Sequence, residues 1–369
     1  LGYSPIEIAA LLVLYELFGV ITNLYAGWLA TAIGLTVTMQ MGLALQIVAL
    51  GMLMVDSSIL NVIYVMVAQA LSGIGKDLNK MGAKASIKSL VPADAQGRLY
   101  RWIALLTGSK NALKGVGFFL GGWLLSTVGF QYAVGTMAAA LSVVLVLSIL
   151  LLDRSTGIAK KPKPFQHLFS TSSAVNRLSA ARFFLFGSRD IWFVVALPVF
   201  LQSQLQWSYV QVGTLMAAWV IAYGIVQTVA PKITIIGKTA KGNITHPSGR
   251  TAFRWVGILC LVPGAIAWGV YAAGLDTSML AIGLVSGLLL FGALFAINSS
   301  IHSYLIVAYA REDGTSLDVG FYYMCNAAGR LVGTLLSGLV YQQFGLVACL
   351  VLSSAMLIVT AVISRKLPA

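Results

Sequence analysis

The chain has 369 residues, 59% of them hydrophobic and only 9% charged, with a formal net charge of +13. Soluble domains carry about a quarter charged residues, so a soluble fold of this length is excluded, and so much apolar side chain excludes disorder as well. What remains is a polytopic membrane protein, whose basic charge belongs to loops on an anionic leaflet and calls for no nucleic acid.

A spanning helix needs about 20 mostly apolar residues. In chain order the spans predicted are 6–28, 35–55, 59–82, 102–127, 131–152, 178–204, 209–231, 252–273, 279–308, 316–343 and 347–364. No strand-period pattern accompanies them, and backbone in lipid must satisfy its own hydrogen bonds, so all are expected to be helices. The connections alternate in charge. One set holds Arg98 and Arg101, then Arg154, Lys160, Lys161 and Lys163, then Lys232, Lys238, Lys241 and Arg250, then Arg311, then Arg365 and Lys366. The other set holds no Lys or Arg. That asymmetry predicts a multi-pass protein of the cell membrane with the C-terminus cytoplasmic and residue 1 outside. The odd helix count and the lack of an initiating Met lead us to expect one more helix before residue 1.

An internal repeat divides the chain. Leu1-Gly-Tyr-Ser4 before an apolar helix corresponds to Leu205-Gln-Trp-Ser208 before another. Lys114-Gly-Val-Gly117, Gly121-Gly122 and Gly129 align with Arg330-Leu-Val-Gly333, Ser337-Gly338 and Gly345. Small residues four apart let helices pack closely in lipid, but they do not explain a cation at the same place in both repeats. The expected organisation is an N-terminal half over 1–152, a polar cytoplasmic linker over 153–176, and a C-terminal half over 177–369. Two six-helix halves about a central site resemble the major facilitator superfamily. The fold expected is therefore all-α, with twelve helices of which eleven are present here. The glycine-bounded loop that follows the second helix in that family is half kept. Gly27 and Gly34 have the spacing, while Thr31 and Ala32 stand at the charged positions.

Charge inside a span costs a few kcal/mol per residue and so suggests function. Lys76, Lys80, Lys84 and Lys88 recur every four residues, on one side of a helix. Lys84 and Lys88 read more simply as snorkelling to the interface. Lys110 and Lys114 share the same spacing, Arg182, Arg189 and Asp190 share another span, and Arg330 shares its span with Asn326 and Tyr322. At 1.5 Å per residue, Lys76, Lys114, Arg189 and Arg330 lie roughly 22–25 Å from the outer helix ends, in one layer. Such a cation layer repels itself unless an anion completes it. Arg matches tetrahedral oxyanions bidentately, and Lys supplies point charge. The expected partner is a small anionic substrate of phosphate-ester type, gripped by those four residues, with Lys110, Arg182, Asn326, Tyr322 and His302 in secondary contacts. Glu16, mid-span with no adjacent cation, and Asp190 are the candidates for proton coupling.

Other patterns fail on context. Gly73-Ile-Gly-Lys76-Asp77 lacks the full phosphate-loop spacing and lies in a span. Asn243-Ile-Thr245 matches a glycosylation sequon on the cytoplasmic side. His167 and His246 lack metal-ligand spacing, and Cys260, Cys325 and Cys349 read as small buried hydrophobes. No catalytic constellation, metal or cofactor is indicated.

Four charge-bearing strings go further: Leu71-Ser-Gly-Ile-Gly-Lys-Asp77, Leu106-Thr-Gly-Ser-Lys-Asn-Ala-Leu-Lys-Gly-Val-Gly-Phe-Phe119, Ala181-Arg-Phe-Phe-Leu-Phe-Gly187 with Arg189-Asp190, and Asn326-Ala-Ala-Gly-Arg-Leu-Val-Gly333. On these strings, nearly the whole chain resembles the ArsJ-type organoarsenical efflux permeases. The resemblance implies arsenate resistance in two steps. A glyceraldehyde-3-phosphate dehydrogenase, a functional partner, makes 1-arseno-3-phosphoglycerate, and a monomeric permease exports it. Arsenic itself is not readable from any side chain. The nearest rival is an organophosphate or organic-anion antiporter of the same fold; a membrane-embedded enzyme and a channel fit less well.

Overall fold

The computed structural model describes residues 4–56, 59–60, 62–90, 96–153, 172–234, 246–272, 277–311 and 315–368. Among these, all regular structure is helical: α1 Pro5–Ile33, α2 Leu35–Met52, α3 Val62–Leu90, α4 Gln96–Val128, α5 Phe130–Leu151, α6 Ser173–Phe193, α7 Ala196–Ser203, α8 Tyr209–Thr234, α9 Gly249–Leu259, α10 Leu261–Ala272, α11 Thr277–Tyr309 and α12 Thr315–Ser364. Among the described residues, seven stretches are apolar and long enough to cross a membrane: Leu35–Met52, Phe130–Leu151, Ser173–Ser203, Val210–Thr234, Gly249–Ala272, Met279–Tyr309 and Thr315–Ser364. The last contains two of the expected spans. Neither α3 nor α4 is among the seven; these are the helices that carry Lys76, Lys110 and Lys114.

Glycine and proline mark the joints. Gly129 separates α4 from α5 with φ 78, and Gly345 breaks α12 with φ 76 and a nearly identical extended ψ. These two glycines align in the repeat, and each follows its cation (Lys114 or Arg330) by fifteen residues. A positive φ of this kind is open to glycine and strained for other residues. Proline clashes with the carbonyl four residues before it. Pro198 and Pro263 act on Val194 and Leu259, where α6 gives way to α7 and α9 ends. Pro231 stays inside α8, and the carbonyl it leaves free, on Gln227, accepts from the Ser300 hydroxyl at 3.4 Å.

The segment expected as linker ends early, because α6 already begins at Ser173. The Ser172 side chain caps it by accepting from the Val175 N–H at 3.4 Å. Polarity had marked this stretch as unable to span, but a capped helix end on the basic face tolerates it. Residues 154–171, with His167 and the linker lysines, lie outside the described residues, as do Lys238, Lys241 and the sequon.

The halves meet along two seams, α1 on α12 and α4 on α8. In the second seam a Cβ on Gly108 would stand 2.6 Å from the Gly224 carbonyl, and one on Gly224 would stand 2.3 Å from the Ala112 nitrogen. Asn111 Nδ2 donates to Gln227 Oε1 at 2.6 Å, and the Tyr100 and Thr234 hydroxyls bond at 2.9 Å. At the basic end, one apolar cluster includes Leu99, Tyr100 and Ile103 from the first half with Ile301, Tyr304 and Leu305 from the second, sealing the halves together. The core toward the opposite end, around Trp192, Trp219 and Phe291, belongs to the C-terminal half alone.

Replacing Gly224 with Val should force α4 away from α8. Overpacking of this kind costs about 1–3 kcal/mol, so thermal unfolding in detergent should shift down by several degrees, whereas Gly213→Val, at a site with nothing within 4 Å, should leave it unchanged.

Candidate functional site

Five helices bring charge into one layer. From α1 comes Glu16, from α3 Lys76 and Asp77, from α4 Lys110 and Lys114, from α6 Arg189 and Asp190, and from α12 Arg330. Arg330 is the centre. Its Nε donates to Asp190 Oδ2 at 3.2 Å, and its Nη2 pairs with Glu16 Oε1. Asp190 Oδ1 accepts from Arg189 Nε at 2.6 Å. One guanidinium thus ties a carboxylate on α6, in its own half, to a carboxylate on α1 in the other half.

Glu16 was expected to stand without a cation neighbour, and here the structure differs. Its partner lies 314 residues away in sequence, a separation that the content of its own span could not reveal. The carboxylates are also the deep members of the layer. Glu16 is 6%, Asp77 5% and Asp190 0% exposed, whereas Lys110 and Lys114 are exposed and Lys76, Arg189 and Arg330 half-buried. Cations therefore form the accessible surface, and carboxylates back them.

Among the described residues, Lys114 has no carboxylate partner. The charged groups that act on it are Arg330, Lys110, Lys76 and Arg189, all of them cations. Lys76 lies within electrostatic reach of Asp77, Arg330 and Lys110. Among the described residues, five cations face three carboxylates in the layer, a formal excess of two positive charges. The side chains of Lys80, Lys84 and Lys88 lie outside the described residues.

The remaining candidates form a separate tier. Arg182 is 3% exposed, about 10 Å along α6 from Arg189 at 1.5 Å per residue. Its Nε donates to Asn326 Oδ1 at 2.9 Å and its Nη1 to the Ser299 carbonyl at 3.3 Å. Tyr322 lies 5.2 Å from its guanidinium carbon, and His302 is fully buried within its reach. Between the tiers stands Phe186, its ring centroid 3.9 Å from the Arg182 guanidinium and 4.9 Å from that of Arg189. Sequence reasoning missed Phe186. The signal was its spacing, one helical turn from each arginine and on the same face.

The sequence profile described as "Major Facilitator Superfamily" matches residues 1–248. The chain belongs to that superfamily. Among solved structures, the human organic anion transporter MFSD10 (TETRAN) is similar, with TM-score 0.76 at 16% identity over 95% of this chain and 83% of that one. A bacterial homologue of the iron transporter ferroportin, in an outward-facing state, gives TM-score 0.73 at 14% identity over 98% and 90%. The proton:xylose symporter XylE, bound to 6-bromo-6-deoxy-D-glucose, gives 0.73 at 11% over 97% and 85%. These likenesses concern the fold. No curated protein matches the chain.

The Glu16–Arg330 pair can be weighed directly. Removing one partner of a buried pair strands the other, at up to about 3–5 kcal/mol when both are fully buried, and less here because the Arg330 side chain is 29% exposed. In a double-mutant cycle on thermal unfolding, Glu16→Ala with Arg330→Ala should cost less than the two single changes combined, by about 1 kcal/mol or more. Additive costs would mean that the two do not interact.

Proposed function

We propose that the protein is a secondary active transporter that exports a small organic polyanion bearing phosphate-type groups, and that Lys76, Lys114, Arg189 and Arg330 grip it. The observation that carries this reading is Lys114, whose electrostatic neighbours are all cations. A lysine with four positive neighbours is held against their repulsion, which a bound oxyanion would relieve. An anionic substrate would offset the positive excess of the layer. Lys110 lies at its edge, in reach of Asp77.

Within this reading, the resemblance of the charge-bearing strings selects an arsenate ester, 1-arseno-3-phosphoglycerate, made by a partner dehydrogenase. Arsenate and phosphate esters offer nearly the same shape and charge, and nothing in the cation layer separates them. That a human organic anion transporter shares the fold agrees with the wider class of substrate. If the basic loops face the cytoplasm, as the charge asymmetry indicates, the apolar cluster of Tyr100, Ile301 and Tyr304 closes the cytoplasmic side. In this reading Glu16 exchanges a proton with the site when Arg330 releases it to bind substrate, while Asp190 remains paired with Arg189.

Arsenate tolerance of cells expressing the protein should rise only when the dehydrogenase is present. Tolerance without the enzyme would overturn the arsenical assignment, and tolerance unaffected by Lys114→Ala would overturn the grip. Losing one charge-assisted contact is worth about 1.5–3 kcal/mol, so Lys114→Ala should lower substrate affinity by about 10- to 100-fold while leaving protein in the membrane.

A further inference from the structure

The lower tier poses a different problem from the cation layer. Arg182 is almost wholly buried, and among the described residues no carboxylate bonds to it. Asp190, two turns along the same helix, is already shared by Arg189 and Arg330. The two acceptors that Arg182 does have, Asn326 Oδ1 and the Ser299 carbonyl, are neutral. Guanidinium has five N–H donors, and Nη2 makes no hydrogen bond among the described residues. The rings of Phe186 and Tyr322 wall the group.

The side chains around it are polar, buried and underused. His302 is 0% exposed, and neither of its ring nitrogens has a hydrogen-bond partner. It lies one turn from Ser299 on α11, within reach of the Arg182 charge. A buried cation beside unpartnered polar groups is an incomplete site, because buried polar groups are nearly always bonded and buried charge is nearly always balanced.

We infer that the polar cluster around Arg182 is a binding site for a small monovalent anion of the halide type, distinct from the substrate layer above it. Its fixed charge is that of one guanidinium, so a single negative charge neutralises it, whereas a phosphate-type dianion would leave an excess. Phe186 separates it from Arg189, and full burial of its lining favours a compact, weakly hydrated ion. His302, as the neutral tautomer, offers one N–H to the anion. The site joins α6, α11 and α12, so occupancy stiffens the C-terminal half.

The test uses purified full-length protein and chloride as the probe. At constant ionic strength, replacing sodium gluconate with sodium chloride should raise the apparent Tm by about 2–4 °C and saturate, as expected of a ligand that binds only the folded state. Bromide soaked into crystals should give one anomalous peak beside Arg182 and His302. Arg182→Gln and His302→Phe should lose the chloride response, and Lys114→Ala should keep it. No chloride-specific shift and no bromide peak in the unmodified protein would overturn the site, whatever the variants do. A response lost in Lys114→Ala instead would move the ion to the substrate layer and equally overturn it.

Discussion

Holding five cations and three carboxylates in one layer of a membrane-spanning bundle is the constraint on which the rest of the molecule turns. Desolvating a charge costs several kcal/mol even after relaxation, and only short, well-oriented pairing offsets it. The layer meets that cost unevenly. Arg189, Asp190, Arg330 and Glu16 form a continuous chain of ion pairs, while Lys114 is left among cations. The ion pairs join the buried carboxylates Glu16 and Asp190 to Arg330 and Arg189, while the more exposed Lys114 has no carboxylate partner among the described residues. The same chain of pairs crosses the seam between the halves. Separating α1 from α12 at this level strands Glu16 unless it takes a proton or another cation, so movement of the halves and the charge state of the layer are linked by one contact.

The helices that carry these charges reach each other because small residues remove the steric barrier. Gly329 packs so tightly on α6 that a Cβ there would stand 2.1 Å from the Phe183 carbonyl, and Gly333 meets Gly187 in the same way. These contacts hold α12 against α6 over the stretch that places Arg330 beside Asp190. In lipid, such packing replaces the hydrophobic drive available in water. Proline works in the other direction, ending α6 beyond Asp190 and letting the outer part of that span, α7, take its own course. Ala196 N, freed at that break, donates to Ser337 Oγ of α12 at 3.0 Å, so the broken backbone is satisfied by a small residue of the repeat.

Much of this was legible in the sequence. The eleven predicted spans correspond to the observed helices within a few residues at most ends, because a 30 Å apolar slab imposes a length that composition reports directly. The likeness of Gly129 and Gly345 was legible too, since a positive φ demands glycine in both repeats. What the sequence could not show is which charge meets which. Glu16 and Arg330 are on different helices in different halves, and the identity of a carboxylate's partner depends on packing and not on periodicity. The depth argument placed the four principal cations in one layer, and in the structure Arg330, Lys76 and Arg189 lie within electrostatic reach of Lys114. It could not foresee that Arg189 and Arg330 are already paired with carboxylates. Nor could it separate Arg182 from them, because one helix carries both tiers and hydropathy does not register a ring standing between two arginines.

Arg182 and Arg189 make the point most sharply, being two residues of one type, seven positions apart on one helix, with opposite surroundings. Arg189 has a carboxylate beside it in sequence and aromatic rings of Phe186, Phe193 and Phe295 within 6 Å of its guanidinium carbon. Arg182 also contacts Phe186, at 3.9 Å, but has only neutral acceptors. A guanidinium tolerates an aromatic wall because the ring quadrupole is attractive to cations, yet that attraction falls well short of balancing a buried charge. The balance for Arg189 is built into the chain as Asp190. For Arg182 no carboxylate is supplied by α6, α11 or α12 at that level, and the polar groups gathered there (His302, Ser299, Asn326) can orient an ion but cannot replace its charge. A fold that invests a buried arginine in such a place and leaves its counter-charge out has made that counter-charge exchangeable.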